Sequence, residues 1–330
     1  MWSYLLKRLA SGLVTLWIIS VINFIIINLP AGDFVDDLAA RMASGGGSGL
    51  SIEGIEALRS RFGLDKPLYL QYFYWIGNLL RGDLGMSFEY NVPVSELLGG
   101  DVLLLTLAVC GAALILSWAI GISLGVYTSL HPYSLPDYLA TFVAYLGMSC
   151  PHFLLALVAM YIGISIFHMQ SVGGLFSPQY VSAPWTWARF VDFMKHLWLP
   201  VLIVGFSDAV SILRLTRGSM MDTLGQPYIL TARSKGLSEK AVIWKHVFKV
   251  AVNPLISYMG FEFPRLIGGV IVTAIVLNLP IIGPFYYKAL LTQDMYVAGA
   301  VLMFIGVLLV VGGVFADLLL AYVDPRIRYE

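Results

Sequence analysis

Charge is what this chain has least of. Of its 330 residues, 20 are Lys or Arg and 20 are Asp or Glu, which is 12% against 58% hydrophobic residues. A soluble domain carries roughly a quarter charged residues, so the composition excludes that class and points to a polytopic membrane protein. The charges cancel, which leaves no basic face for nucleic acid and argues against it as a partner. Cysteine is almost missing: Cys110 and Cys150 both fall in apolar segments and suggest neither a disulfide nor a metal site. Motifs for handling nucleotide or metal are lacking too. No Lys is followed by Ser or Thr, so there is no P-loop, and none of the five His opens a His-Glu-x-x-His run. No cofactor is therefore expected in this chain, and energy must come from a partner protein or from an ion gradient. Gly121-Ile122-Ser123-Leu124-Gly125 matches the Gly-x-Ser-x-Gly of serine hydrolases. That pattern needs a strand-to-helix elbow with His and acid partners. Inside an apolar run its Gly-xxx-Gly spacing fits close helix packing better.

What the chain has in plenty is long apolar runs. Residues 9–29 are about 21 positions without a charge, which suits a spanning helix rather than a short signal core. Further spans are predicted over about 103–130, 138–167, 197–213, 255–279 and 297–322. Six spans in one domain, residues 1–330, make an all-α membrane protein. Cys150-Pro151 interrupts the third run and predicts a bend or break. A break at membrane depth is tolerable only against protein or a water-filled cavity, so Ser149 and Pro151 are candidate pathway residues, with a packed kink as the alternative. In the fifth run Glu262 and Arg265 stand three apart on one helix face. They are either a self-neutralising pair or a pathway contact. Asp317 lies in the last run.

Polar intervals separate the runs. Residues 32–101 hold ten acids and five Lys or Arg, too polar to enter lipid, and read as a large external loop. Within it 44–49 reads as a flexible Gly/Ser linker, and 51–61 as a helix capped by Ser51. Residues 65–81 form an aromatic amphipathic stretch whose Tyr72, Tyr74 and Trp75 suit either the bilayer interface or a partner. Lys7 and Arg8 place the N-terminus in the cytoplasm. Six spans then put residues 214–254 and the C-terminus there as well, where eleven Lys or Arg collect, against Arg189, Lys195 and Lys288 in the short external loops.

The interval 214–254 is the most distinctive. It holds seven Lys or Arg against Asp222 and Glu239. Tyr228 to Lys235 reads as a short helix that Gly236 closes in the left-handed conformation. Ser238 is placed to cap a second helix running to about Val252, with Ala241, Val242, Trp244, Val247, Phe248 and Ala251 as its apolar side. A basic loop is one reading. A helix–Gly–helix elbow that docks a soluble partner is the other.

Ala232-Arg233-Ser234-Lys235-Gly236-Leu237-Ser238-Glu239, with Arg217 and Met221 upstream and Asn253-Pro254 downstream, resembles the EAA coupling loop of ABC-importer permeases. The branch it most resembles serves oligopeptides, dipeptides, nickel and some oligosaccharides. Leu230 and Thr231 stand where the wider pattern has Glu and Ala, and Lys249 stands near its expected Pro. Leu29-Pro30-Ala31-Gly32-Asp33, residues 62–68, residues 82–85 and the tail Asp324-Pro325-Arg326-Ile327-Arg328-Tyr329 also resemble that branch, so the likeness reaches both ends. It implies the type I importer fold, with a coupling helix between the fourth and fifth spans, in a bacterial or archaeal inner membrane. It also implies a second related permease, two ATPase subunits that hold ATP and Mg, and an external solute-binding protein. Tyr228, Thr231, Ala232, Arg233, Lys235, Gly236, Leu237, Ser238 and Glu239 would then form the ATPase-coupling site. Ala232 would leave room for close docking, and Arg233, Lys235 and Glu239 would make charged contacts. Ala274 and Ile281 replace a Glu and a Gly of the peptide-type members. With residues 174–178 and 293–296 this tilts the resemblance toward oligosaccharide over peptide, nickel being a further alternative. The rival of another class is an ion-gradient-driven secondary transporter, which would carry inverted repeats; none is visible.

Overall fold

The computed structural model describes residues 2–30, 32–44, 52–168 and 172–323. Among them the regular structure is helical, and strand pairing is limited to one isolated bridge, Met86 to Pro93. The predicted linker over 44–49 (apart from Ser44), the Ser51 cap and the C-terminal tail from Asp324 lie outside the described residues.

Five helical segments are long and apolar enough to cross a membrane. They are α1 (Trp2–Ile27), α6 (Asp101–Leu130), α9 (Trp187–Leu224), α13 (Asn253–Val276) and α15 (Met295–Val323). The third expected run is divided. α7 (Leu135–Ser149) and α8 (His152–Ser165) meet at 99° across Cys150-Pro151. Proline lacks the amide hydrogen that would continue the ladder and pushes the preceding residue into extended backbone, here φ −98° and ψ 121° at Cys150.

α9 is longer than its apolar run. Thr186 Oγ1 caps it by accepting from Arg189 N at 3.3 Å, and it continues past residue 213 to Leu224. At 1.5 Å per residue its 38 residues span about 57 Å, against about 30 Å of bilayer hydrocarbon. Polar residues 187–196 and 214–224, which read as loop, are therefore helical projections of a span. An apolar scale sees only the part that lipid solvates.

The chain divides into two compact units. Among the described residues, the first holds 107–168, 172–280 and 311–323. In it α6 lies against α9: a Cβ on Gly121 would come within 2.6 Å of Ile212, and one on Gly125 within 2.6 Å of Thr216. The Gly-xxx-Gly spacing is thus a packing seam, as expected. α13 meets α15 just as closely, since a Cβ on Gly312 would sit 2.6 Å from the Gly260 carbonyl oxygen.

Among the described residues, the second unit holds 2–30, 32–44, 52–106 and 281–310. α2 (Phe34–Ser44), α3 (Ile52–Phe62), α4 (Leu68–Leu80) and α5 (Val94–Leu98) fold there around Phe24, Phe34, Trp75, Phe88 and Met295. Trp75 is 4% exposed and packs beside Gly299, while Tyr72 donates to or accepts from Ser20 Oγ at 2.9 Å. Of the three aromatics read as interface or partner contacts, Trp75 is core, Tyr72 is partly buried against it, and Tyr74 is exposed. Arg59 ties the start of α2 through Asp33 at 3.0 Å. Asp294 accepts from Ser87 Oγ, Glu89 N and Val297 N, which pins the 85–94 loop to the start of α15.

Candidate functional site

Two sites follow from the sequence reading, and both lie in the first unit. The elbow begins where α9 ends at Gly225. α10 (Pro227–Ser234) starts with proline in its first turn, where a missing amide hydrogen costs nothing. It ends as a Schellman motif: Gly236 N donates to Arg233 O at 2.9 Å and Leu237 N to Ala232 O at 3.4 Å. Gly236 takes φ +77°, and no atom lies within 4 Å of where its Cβ would be. The glycine is required by backbone conformation, not by crowding.

The next segment departs from expectation. Ser238 has the extended backbone of a cap, but its hydroxyl makes no capping bond. After one α-turn, α11 (Glu239–Ala241), the chain winds as a π-helix over Val242–Val247 and closes with α12 (Phe248–Ala251). The wider turn brings Val242 and Val247, five apart, to one fully buried face. With Met220, Ile229, Ala232, Ala251 and Val126 they form one apolar cluster. Ala232 is thus 7% exposed and packs inside the chain instead of leaving room for a partner, while Trp244, read as apolar-face, is 51% exposed.

The outer face of the elbow carries Tyr228, Thr231, Lys235, Leu237 and Ser238, all exposed, together with Leu230. Arg233 and Glu239 pair with each other across Gly236, Nε to Oε2 at 3.1 Å, so their charges brace the turn. The hydrogen bond from Arg233 holds the Glu239 carboxyl below its ordinary range, and the same bond raises Arg233. Asp137 of α7 accepts both Nε and Nη2 of Arg217, at 3.0 and 2.9 Å, and is buried. That pair joins the broken span to α9 just before the elbow. Residue order does not reveal it, because the partners are 80 positions apart.

The second site lies where α9, α13 and the start of α8 meet. Arg265 Nη2 donates to Asp208 Oδ1 at 2.7 Å and to the Glu262 carboxylate. Glu262 is fully buried and Asp208 4% exposed, whereas the Arg265 side chain is 46% exposed. A cavity of about 290 Å³ is lined by Pro151, His152, Asp208, Arg265 and Thr273 among others. Of the candidate pathway residues, Pro151 and Arg265 line it, and Glu262 does not, though it accepts from Arg265. Ser149 does not line it either: it is exposed and its hydroxyl donates to Tyr145 O at 2.8 Å. Asp208 was missed. A lone acid inside an apolar run was the available signal, and it went unused because no partner stood three or four residues away.

Among the described residues no three His, Cys, Asp or Glu are grouped to hold a metal ion. Residues 121–329 match the model of the binding-protein-dependent transport system inner membrane component, and residues 1–101 match the N-terminal model of the same membrane component. This chain belongs to that family.

The oligopeptide transport system permease protein AppB of Bacillus subtilis is 33% identical over 332 residues, 99% of each chain. A Brucella ovis protein named as a peptide permease is 32% identical over 326 residues, 98% of each chain. A Sinorhizobium fredii protein named as a peptide ABC transporter permease is 32% identical over 327 residues, 99% of each chain. The chain is thus a permease subunit of an ABC importer, a multi-pass inner-membrane protein and a transport subunit rather than an enzyme. Membership also sets its company in general terms: an ATPase, a partner permease and a binding protein. The expected resemblance and helical membrane fold both hold, and the secondary-transporter alternative falls away.

Proposed function

We propose that this permease supplies half of a pathway for short peptides. An external binding protein delivers the solute, and two ATPase subunits, which hold ATP and Mg, drive the cycle. The other half comes from a second, related permease. Both termini and the elbow face the cytoplasm, six spans cross the bilayer with α7 and α8 counted as one, and residues 32–101 lie outside. The observation that carries the coupling role is the two-sided elbow. Its inner face is the chain's own core, while its outer face exposes Tyr228, Leu230 and Leu237 beside Lys235, an apolar surface that suits a protein partner. α9 continues from the elbow without a break, so displacement there moves Asp208, sixteen residues back and about 24 Å away along the axis.

The peptide choice rests on the names of the relatives. Ala274, one of the replacements that tilted the reading toward oligosaccharide, is fully buried, and so is Ile281. Burial weakens them as markers of solute contact. The test is import into proteoliposomes by the complete transporter with its binding protein and ATP, offering a tripeptide library and maltotriose side by side. ATP-dependent entry of tripeptides is expected. Entry of maltotriose alone overturns the peptide reading and leaves the importer reading intact. For the orientation, Lys235→Cys in sealed cells should resist a membrane-impermeant maleimide until the membrane is opened; labelling of intact cells refutes it.

A further inference from the structure

A smaller cavity of the first unit, about 140 Å³, lies between α7 and α9 near the end of the α9 apolar run. Thr141, Tyr145, Arg214, Arg217 and Gly218 are among the residues that line it. Sites that enclose whole small molecules measure roughly 300–1,000 Å³, so this one suits a single chemical group. Its two arginines differ in state. Arg217 gives Nε and Nη2 to Asp137, which also accepts from Tyr133 N at 2.9 Å. The Asp137 side chain is only 4% exposed, but that of Arg217 is 27% exposed, and its other N–H donors are unused. Arg214 is exposed and has no acid partner among the described residues. Its guanidinium donates to Met148 Sδ at 3.4 Å, a weak acceptor, and stands 5.7 Å from the centre of the Tyr145 ring. Two cations therefore meet one carboxylate, and the cavity keeps a surplus positive charge.

We infer that this cavity binds the phosphate of an anionic phospholipid, whose acyl chains run along the outer face of α7. Depth is the first argument. The apolar run of α9 ends at Leu213, so Arg214 is the first charge beyond it and stands where hydrocarbon gives way to headgroups. Charge is the second, because basic pockets between spanning helices are suited to anionic headgroups. The third is the surface beside the pocket. Tyr138, Tyr145 and Met148 share a helix face with Thr141 and are all exposed, an apolar stripe leading out of a basic cavity. Gly218 adds room, since no atom lies within 4 Å of where its Cβ would be. An acid on the second permease would bring the same sign of charge. Phosphates, however, surround every spanning helix at this depth, and a phosphate ester takes the forked donors of a guanidinium better than any neutral group. A choline headgroup offsets its own phosphate, so a net-anionic lipid is favoured. Nothing in the site depends on which solute is carried.

The test is native mass spectrometry of the complete transporter, delipidated and then titrated with phosphatidylglycerol or phosphatidylcholine. Two variants address the site. Arg214→Gln removes the unpaired cation and leaves the Asp137–Arg217 bond in place. Gly218→Glu sets a carboxylate in the open corner, four residues from Arg214 on the same helix face. The wild type should hold phosphatidylglycerol about fivefold more tightly than phosphatidylcholine, the worth of one basic residue at an anionic surface. Each variant should assemble with unchanged stoichiometry and lose one bound phosphatidylglycerol. Equal retention by the wild type and both variants overturns the site, and so does equal retention of the two lipids by the wild type. Inorganic phosphate that raises the unfolding midpoint of the delipidated transporter as far as phosphatidylglycerol does would make the occupant a free anion and overturn the lipid. Binding of phosphatidylglycerol to the isolated chain but not to the complete transporter also overturns it, because the second permease would then cover the cavity. Should Arg214→Gln not assemble, the loss or retention of lipid in Gly218→Glu decides.

Discussion

Gly236 shows how one residue serves a turn without being crowded. At φ +77° a residue with a Cβ costs about 1–2 kcal/mol, yet open space surrounds the position. The fold can therefore accept a side chain that the proposed docking cannot. Gly236→Asp should leave the protein folded in the membrane and abolish ATPase stimulation by the loaded binding protein; normal stimulation in that variant removes the elbow from its proposed role. Asp137 and Arg217 are the opposite case, a buried carboxylate held by two hydrogen bonds from one guanidinium. Arg217→Met should cost about 2–3 kcal/mol and lower the thermal unfolding midpoint in detergent. Adding Asp137→Asn should restore part of the loss, because the stranded charge is gone. Additive losses would mean that the two residues do not act as a pair.

Among the helices, the α6–α9 seam is set by missing side chains. Backbone and side-chain atoms of α9 already fill the space where Cβ atoms on Gly121 and Gly125 would go, so substitution must part the helices. Gly125→Val should destabilise by at least about 1–3 kcal/mol and reduce folded protein in the membrane. A wild-type melting curve for that variant would show the seam to be looser than described. The loop pinned by Glu89 makes a prediction in pH. Burial raises the Glu89 pKa, but hydrogen bonds from Arg41 at 3.0 Å and Lys288 at 3.1 Å, with their charges, more than offset it. Its folded-state pKa thus lies below the unfolded one. Such a group contributes its full stability above the ordinary carboxylate range near about 4.3 and loses it as pH falls through the lowered value. Glu89→Gln should flatten the acid side of a midpoint-versus-pH curve, and parallel curves for the two proteins would refute the assignment. The elbow helices show a limit of pattern reading. The 3.6-residue period put Trp244 on the buried side, but the π-turn changes the period, and the ring lies exposed.

The whole molecule is a coupling part without a motor. On the proposed assembly, the purified chain alone in proteoliposomes should import nothing in response to ATP or to an imposed ion gradient. Uptake should return when the ATPase subunits, partner permease and binding protein are added. Gradient-driven uptake by the chain alone is the result that defeats this view. The sequence by itself determined that the chain lives in lipid, where its apolar runs fall, that Pro151 breaks one of them, and that a glycine turns the elbow. Each of these depends on local composition, spacing or one residue's own backbone freedom. Only the tertiary structure decided that Ala232 and Trp75 face inward, that α9 outruns its apolar core, and that Asp208 joins Glu262 on Arg265 beside a cavity. Those facts rest on contacts between residues tens of positions apart. They depend on which helix faces meet, and that is a property of packing which no local run of residues encodes.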